Sequence, residues 1–259
     1  MPYLVTEDAR LHVEVDGQGQ PVSVLAHGLM NSCRELAALT PLVPGTKVRF
    51  CFRGHGHSSS PESGYRFADF ARDVSAVADA YGATVGFGTS LGAGAIGHLL
   101  THAPDRFDKL VFLLPAGLDQ PFRYKERMLH TASLMDGKSA VEAAEAITAD
   151  PGRARNYVDY PWLRDFDLQM LLELNTVGVP RAIREVIEDW PLQDREQMRK
   201  VTAPTLLICR NGDEIHPAEV GLILAEIMPN AELILFDDGA EMYQAIPDLV
   251  VRVREFILS

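Results

Sequence analysis

The chain has 259 residues, 24 of them Lys or Arg and 36 Asp or Glu, which gives a formal charge of −12 with the eight histidines counted neutral. That length accommodates one large α/β domain with an inserted piece, and a composition of 47% hydrophobic and 23% charged residues is that of a packed globular protein. An acidic chain without clustered Lys and Arg is a poor match for nucleic acid, and no run approaches the roughly 20 apolar residues of a membrane helix.

The chain opens on MPYLVTEDARLHVEV, which has neither a basic nor an apolar leader region, so a cytoplasmic protein is expected. Short β-rich runs follow at 11–15, 22–26, 47–52, 84–88, 110–114, 205–209 and 232–236. Several are apolar almost throughout, as strands of a parallel sheet buried on both faces are. The first, LHVEV, alternates and ends at Asp16-Gly17, which predicts an antiparallel edge hairpin with the next strand, VSVLA. Helical patterns lie at 67–81, 91–103, 217–228 and 247–257, with Gly82, Pro104 and Pro229 as stops. From 118 to 200 the strand signal vanishes, and helical patterns at 139–149, 162–176, 180–189 and 194–200 are broken by prolines. An all-helical insertion of this kind is expected at the carboxyl edge of the strands, as a lid over a core made of 1–117 and 201–259.

The strand TVGFG runs into Gly88-Thr89-Ser90-Leu91-Gly92 and then a helix rich in small residues. Strand, sharp turn and helix are the context in which G-x-S-x-G presents a nucleophilic serine, Ser90, with the Leu91 N–H aimed at a developing oxyanion. His27-Gly28 follows VSVLA, Arg53-Gly54-His55-Gly56-His57-Ser58 follows the next strand, and Arg210-Asn211-Gly212-Asp213 follows TLLIC. In content and order these pieces resemble the α/β-hydrolase fold family. That resemblance implies that Leu29, after the His-Gly pair, supplies the second oxyanion N–H, and that Asp213 is the acid that orients a histidine. Arg210 and Cys51 stand where the family commonly has Gly and Asp. His27 reads as a loop-orienting residue, and the 53–58 stretch as a surface loop with too few ligands for a metal.

After the strand ELILF the family has Gly-His, with a proline seven residues beyond the histidine. Here Gly239 and Pro247 are present, and Ala240 occupies the position of the base. Deliberate inactivation of the base explains the gap best, followed by a scaffold that has given up catalysis to become a binding module. A substitute base ranks third: Glu241 lacks the two nitrogens that bridge acid and nucleophile, and His216, three residues beyond Asp213, would need an unusual loop path. On the first explanation, Ala240→His restores at least about 10³ in the rate of ester hydrolysis.

Cys33, Cys51 and Cys209 have no C-x-x-C spacing and are read as reduced and structural. His98 and His102 read as packing or surface residues, and Arg123, Lys125, Arg127, Arg153 and Arg155 as a solvated face. Met128, Leu134, Leu163, Phe166, Met170 and their apolar neighbours serve either pocket or packing. The resemblance implies a lidded serine hydrolase acting on an ester, lactone or related acyl bond of a small molecule, with no cofactor. Hydrolases of C–C bonds and cofactor-free haloperoxidases share the same core and remain alternatives.

Overall fold

The computed structural model describes residues 3–37, 40 and 43–259. Eight strands form one sheet: β1 (Tyr3–Val5), β2 (Arg10–Asp16), β3 (Val22–Ala26), β4 (Thr46–Phe50), β5 (Val85–Thr89), β6 (Lys109–Leu113), β7 (Thr205–Arg210) and β8 (Ala231–Phe236). Their spatial order is β1-β2-β4-β3-β5-β6-β7-β8, antiparallel at β1–β2 and β2–β4 and parallel from there on. The expected hairpin between LHVEV and VSVLA does not form. Strand β2 pairs with β1 and β4, and β3 is taken into the sheet interior, where all five of its residues are buried. Asp16-Gly17 turns the chain out of β2 without returning it alongside, because the apolar β3 gains more from burial between two parallel neighbours than from a half-solvated hairpin.

Helices cover both faces. Alternate strand residues divide between two cores: Val24, Val48, Phe112 and Leu207 pack toward α1 (Phe67–Tyr81), α2 (Leu91–His102) and α9 (Ala218–Ile227), and Leu25, Phe87, Val111 and Ile208 toward α11 (Ile246–Leu258). The left-handed Gly82 ends α1 where the sequence places a stop.

Between β6 and β7 lie α3 (Lys125–Ser133), α4 (Ala140–Ala149), α5 (Pro151–Ala154), α6 (Asn156–Asp159), α7 (Trp162–Leu171) and α8 (Gly178–Val186), followed by a 3₁₀ helix at Arg195–Lys200. Four helices lie outside the patterns legible in the sequence: α5 and α6, of four residues each, are too short to show a period, and α3 and α10 (Gly239–Gln244) lack one. Helix α3 has a single buried residue, Ala132, and α10 a single one, Met242, so neither shows an apolar stripe. No helix among the described residues is long and apolar enough to cross a membrane.

The strand order reverses between β3 and β5, both parallel and hydrogen-bonded to each other. A crevice opens at the carboxyl end of such a switch point, and the chain places His27-Gly28 at one side of it and Ser90 at the other.

Candidate active site

Ser90 sits between β5 and α2 with φ 49° and ψ −107°, a backbone conformation that L residues rarely adopt. The turn is tight enough to demand glycine on both sides. A Cβ at Gly88 would lie 2.5 Å from the Ala93 nitrogen, and one at Gly92 2.1 Å from the Ala26 oxygen. The geometry therefore locks Ser90 between two backbones while its side chain faces a cavity of about 1040 Å³, lined also by Leu29, Leu91, Asp213, His216 and Ala240. Leu91 is the first residue of α2, so its N–H belongs to the group that a helix leaves without an intrahelical acceptor.

His216 Nε2 lies 3.0 Å from Ser90 Oγ, and its Nδ1 lies 3.0 Å from Asp213 Oδ2. The sequence-based expectation that His216 would need an unusual path is therefore corrected. Asp213 Oδ1 accepts the backbone N–H groups of Ile215 (3.0 Å) and His216 (3.1 Å), curling residues 213–216 into a turn that swings the imidazole back over its own acid. With Nδ1–H donating to the carboxylate, Nε2 is free to accept the Ser90 O–H.

Arg210, where the family commonly has Gly, accounts for the other half of the arrangement. Its Nε and Nη2 donate to Asp213 Oδ2 at 3.0 and 2.6 Å, and its guanidinium lies 5.7 Å from the Tyr243 ring centroid. Burial would raise the Asp213 carboxyl, but the hydrogen bonds and charges of His216 and Arg210 outweigh it and hold the group well below the usual carboxylate range. The same guanidinium lies against Gly239, where a Cβ would meet Arg210 Nη1 at 3.0 Å. Ala240 lines the cavity, but with His216 already spanning Ser90 and Asp213 the arrangement needs no imidazole there.

His27 is fully buried. Its Nε2 accepts the Phe52 N–H at 3.1 Å and its Nδ1 donates to the Gly28 carbonyl at 2.7 Å, while burial pulls its pKa down to about 3, so it is neutral and ties two loops together. The 53–58 stretch is not a surface loop. Arg53 is 1% exposed and joins Asp73 and Asp8, and His55 and Ser58 are buried; only His57 is exposed. Carbonyl and carboxylate partners at hand make burial of that guanidinium tolerable.

The basic residues expected to form a solvated face are both ion-paired and open to solvent, with Arg123 and Arg155 exposed and Arg127 and Arg153 half-buried. Arg127 and Arg155 both reach Glu214, and Arg153 bonds Asp167 and Tyr157. All three arginines line the cavity, with Met128, Leu134, Leu163, Phe166 and Met170 as apolar wall. Glu35, which also lines it, accepts from Gly28 N–H and Asn31 Nδ2, yet burial pushes its carboxyl up to about 7.

His216 joins Ser90 to Asp213 although, from the sequence alone, it ranks last as a base. Its signal was present as D-x-x-H after a parallel strand, outweighed by the family's usual histidine position.

Residues 49–245 match the model of the alpha/beta hydrolase fold. "Putative carbamate hydrolase RutD" of Azorhizobium caulinodans is 26% identical over 96% of this chain and 95% of its own length. A hydrolase from Pseudomonas aeruginosa PA01 superposes with a TM-score of 0.79 at 23% identity, covering 100% of this chain and 98% of that one. The enol-lactonase from Burkholderia xenovorans LB400 does so with a TM-score of 0.78 at 19% identity, covering 100% of both chains. With its sheet order, its serine turn at the switch point and a family match over most of its length, this chain belongs to the alpha/beta hydrolase fold family.

Proposed function

We propose that the protein is an active serine hydrolase that cleaves an ester, lactone or related acyl bond of a small molecule. Ser90 is the nucleophile, His216 the general base and Asp213 the acid that orients it. The observation that carries this reading is the unbroken relay Ser90 Oγ–His216 Nε2 and His216 Nδ1–Asp213 Oδ2, 3.0 Å at each step.

In the forward step Ser90 Oγ attacks the acyl carbon while its proton passes to His216 Nε2. The imidazolium that forms is stabilised by Asp213, whose own negative charge is secured by Arg210. The N–H groups of Leu29 and Leu91 receive the oxyanion, and the proton on Nε2 then goes to the leaving group. Water takes the same route in reverse to release the acid. The cavity, with an apolar wall and arginines paired to carboxylates, suits a small acyl compound, and the chemistry draws on no cofactor.

The test is hydrolysis of p-nitrophenyl acetate together with labelling by a fluorophosphonate. Turnover and a single phosphonate adduct on Ser90 are expected, both lost in Ser90→Ala. Absence of both in the folded parent protein would leave a ligand-binding scaffold as the better reading.

A further inference from the structure

Away from the cavity, three chemistry-bearing side chains from distant parts of the chain converge beneath the antiparallel end of the sheet. His12 on β2, Cys33 in the loop after β3 and Cys51 just past β4 are respectively 1%, 3% and 0% exposed. The His12 Nδ1, Cys33 Sγ and Cys51 Sγ atoms all lie within 4.8 Å of one another, and Nδ1 is 3.8 Å from each sulfur. None of the three takes part in the hydrolytic relay.

We propose that His12, Cys33 and Cys51 form a binding site for one thiophilic divalent cation of the zinc class. With bonds of about 2.3 Å to sulfur and about 2.1 Å to nitrogen, ligand atoms set trigonally around one ion stand about 3.8 Å apart, and tetrahedrally about 3.6 Å. The two S···N distances of 3.8 Å are therefore already those of a coordinated ion, and at the long end for hydrogen bonds to sulfur.

The surroundings fit the ion's needs in three ways. The Cys51 sulfur accepts the Cys33 backbone N–H at 3.3 Å, a donor that favours thiolate charge on that sulfur. His12 Nε2, buried with no hydrogen-bond partner, faces Glu14 Oε1 at 4.0 Å; a carboxylate behind the ring of a ligating histidine fixes which nitrogen keeps the proton. Two thiolates, a neutral imidazole and a divalent cation sum to zero charge, the one state of the cluster that a dry interior accepts cheaply.

The scaffold is rigid. The Cys51 N–H donates to the His12 carbonyl, Ser58 Oγ donates to the Cys51 carbonyl and accepts the His12 N–H, and the Cys33 carbonyl accepts from Arg49. The exposed His57 packs edge-on against the His12 ring at 5.2 Å, so the site lies one side chain below the surface. Binding releases the protons of the two thiols to solvent and leaves Nε2 of His12 protonated. Because Cys33 lies in the loop that begins with Gly28 and Leu29, a bound ion would clamp that loop to β2 and β4.

The experiment titrates the tag-free, reduced protein with Cd²⁺, following the thiolate-to-cadmium charge-transfer absorbance. One equivalent is expected to bind, with the band retained in Cys209→Ala, lost in Cys33→Ser/Cys51→Ser, and at least tenfold weaker in His12→Phe. Should the double variant fail to fold, alkylation of the parent with and without Zn²⁺ answers the same question: protection of Cys33 and Cys51, but not Cys209, supports the site. A reduced protein that binds no cadmium, binding undiminished in the double variant, or equal alkylation of all three cysteines overturns it. Cysteines that pair as a disulfide in air, in a protein that binds no cadmium when reduced, would make the pair a redox couple instead.

Discussion

Replacing His216 with alanine and, separately, Ala240 with histidine sets the geometry of the site against the usual family pattern. Among the described residues, His216 provides the one side-chain hydrogen bond to Ser90 Oγ, at 3.0 Å, and it holds Asp213 at the same distance on its other nitrogen. Its loss removes general-base activation and strands Asp213 with nothing to orient. For a triad histidine that costs on the order of 10⁴–10⁶ in kcat. At about 1.36 kcal/mol per decade this is roughly 5–8 kcal/mol of transition-state stabilisation. In Ala240→His the new ring finds Asp213 already engaged by His216 and Arg210. A change of less than tenfold is expected. Initial rates on p-nitrophenyl acetate, corrected for the uncatalysed reaction, measure both, with circular dichroism to verify the fold of each variant. The reasoning is refuted if His216→Ala keeps its rate within tenfold of the parent, or if Ala240→His gains 10³.

Two further outcomes follow from the surrounding structure. Gly92→Ala places a methyl group 2.1 Å from the Ala26 oxygen, so urea unfolding should show a loss of at least about 2 kcal/mol; an unchanged midpoint would mean that the turn relaxes freely. Glu35 has its carboxyl raised from 4.5 to about 7, so the folded state holds an extra proton between those values, and this group's contribution to stability falls as pH rises from about 4.5 through 7. Glu35→Gln removes that titration. Thermal midpoints measured from pH 5 to pH 8 should decline less in the variant than in the parent, and parallel profiles would contradict the assignment.

The architecture was legible wherever periodicity and punctuation agreed. Apolar runs in β3, β5, β6 and β7 and the stop at Gly82 were visible because burial on both sheet faces leaves a continuous signal. Pairing was not. That β2 joins β4 rather than β3 depends on contacts between residues such as Val13 and Phe50, 37 positions apart, about which local turn chemistry is silent. The serine turn could be read because its glycines obey a local steric rule, whereas His216 could not, because a family pattern encodes one solution to placing an imidazole and the chain uses another. The turn that makes this possible rests on the two N–H groups capping Asp213 Oδ1, a side-chain interaction invisible to spacing alone. Cys33, Cys51 and His12 gave no signal either, since their proximity is made by three separate elements.

In the proposed relay the acid and the base occupy positions 213 and 216 of one turn, tied by hydrogen bonds within that turn. In a chain whose histidine follows the last strand, the relay depends on β8 and its following helix docking correctly, and it opens whenever that end of the molecule frays. Here the distance between acid and base is fixed by four consecutive residues. In the proposed relay the segment from β8 through α11 carries no proton and serves as cavity wall and support. Thermal fraying or sequence drift at that end reaches the chemistry through the β7–β8 ladder, where Phe236 pairs with Arg210 and accepts the Asn211 N–H, and through Tyr243 against Arg210, contacts at the edge of the relay rather than links within it.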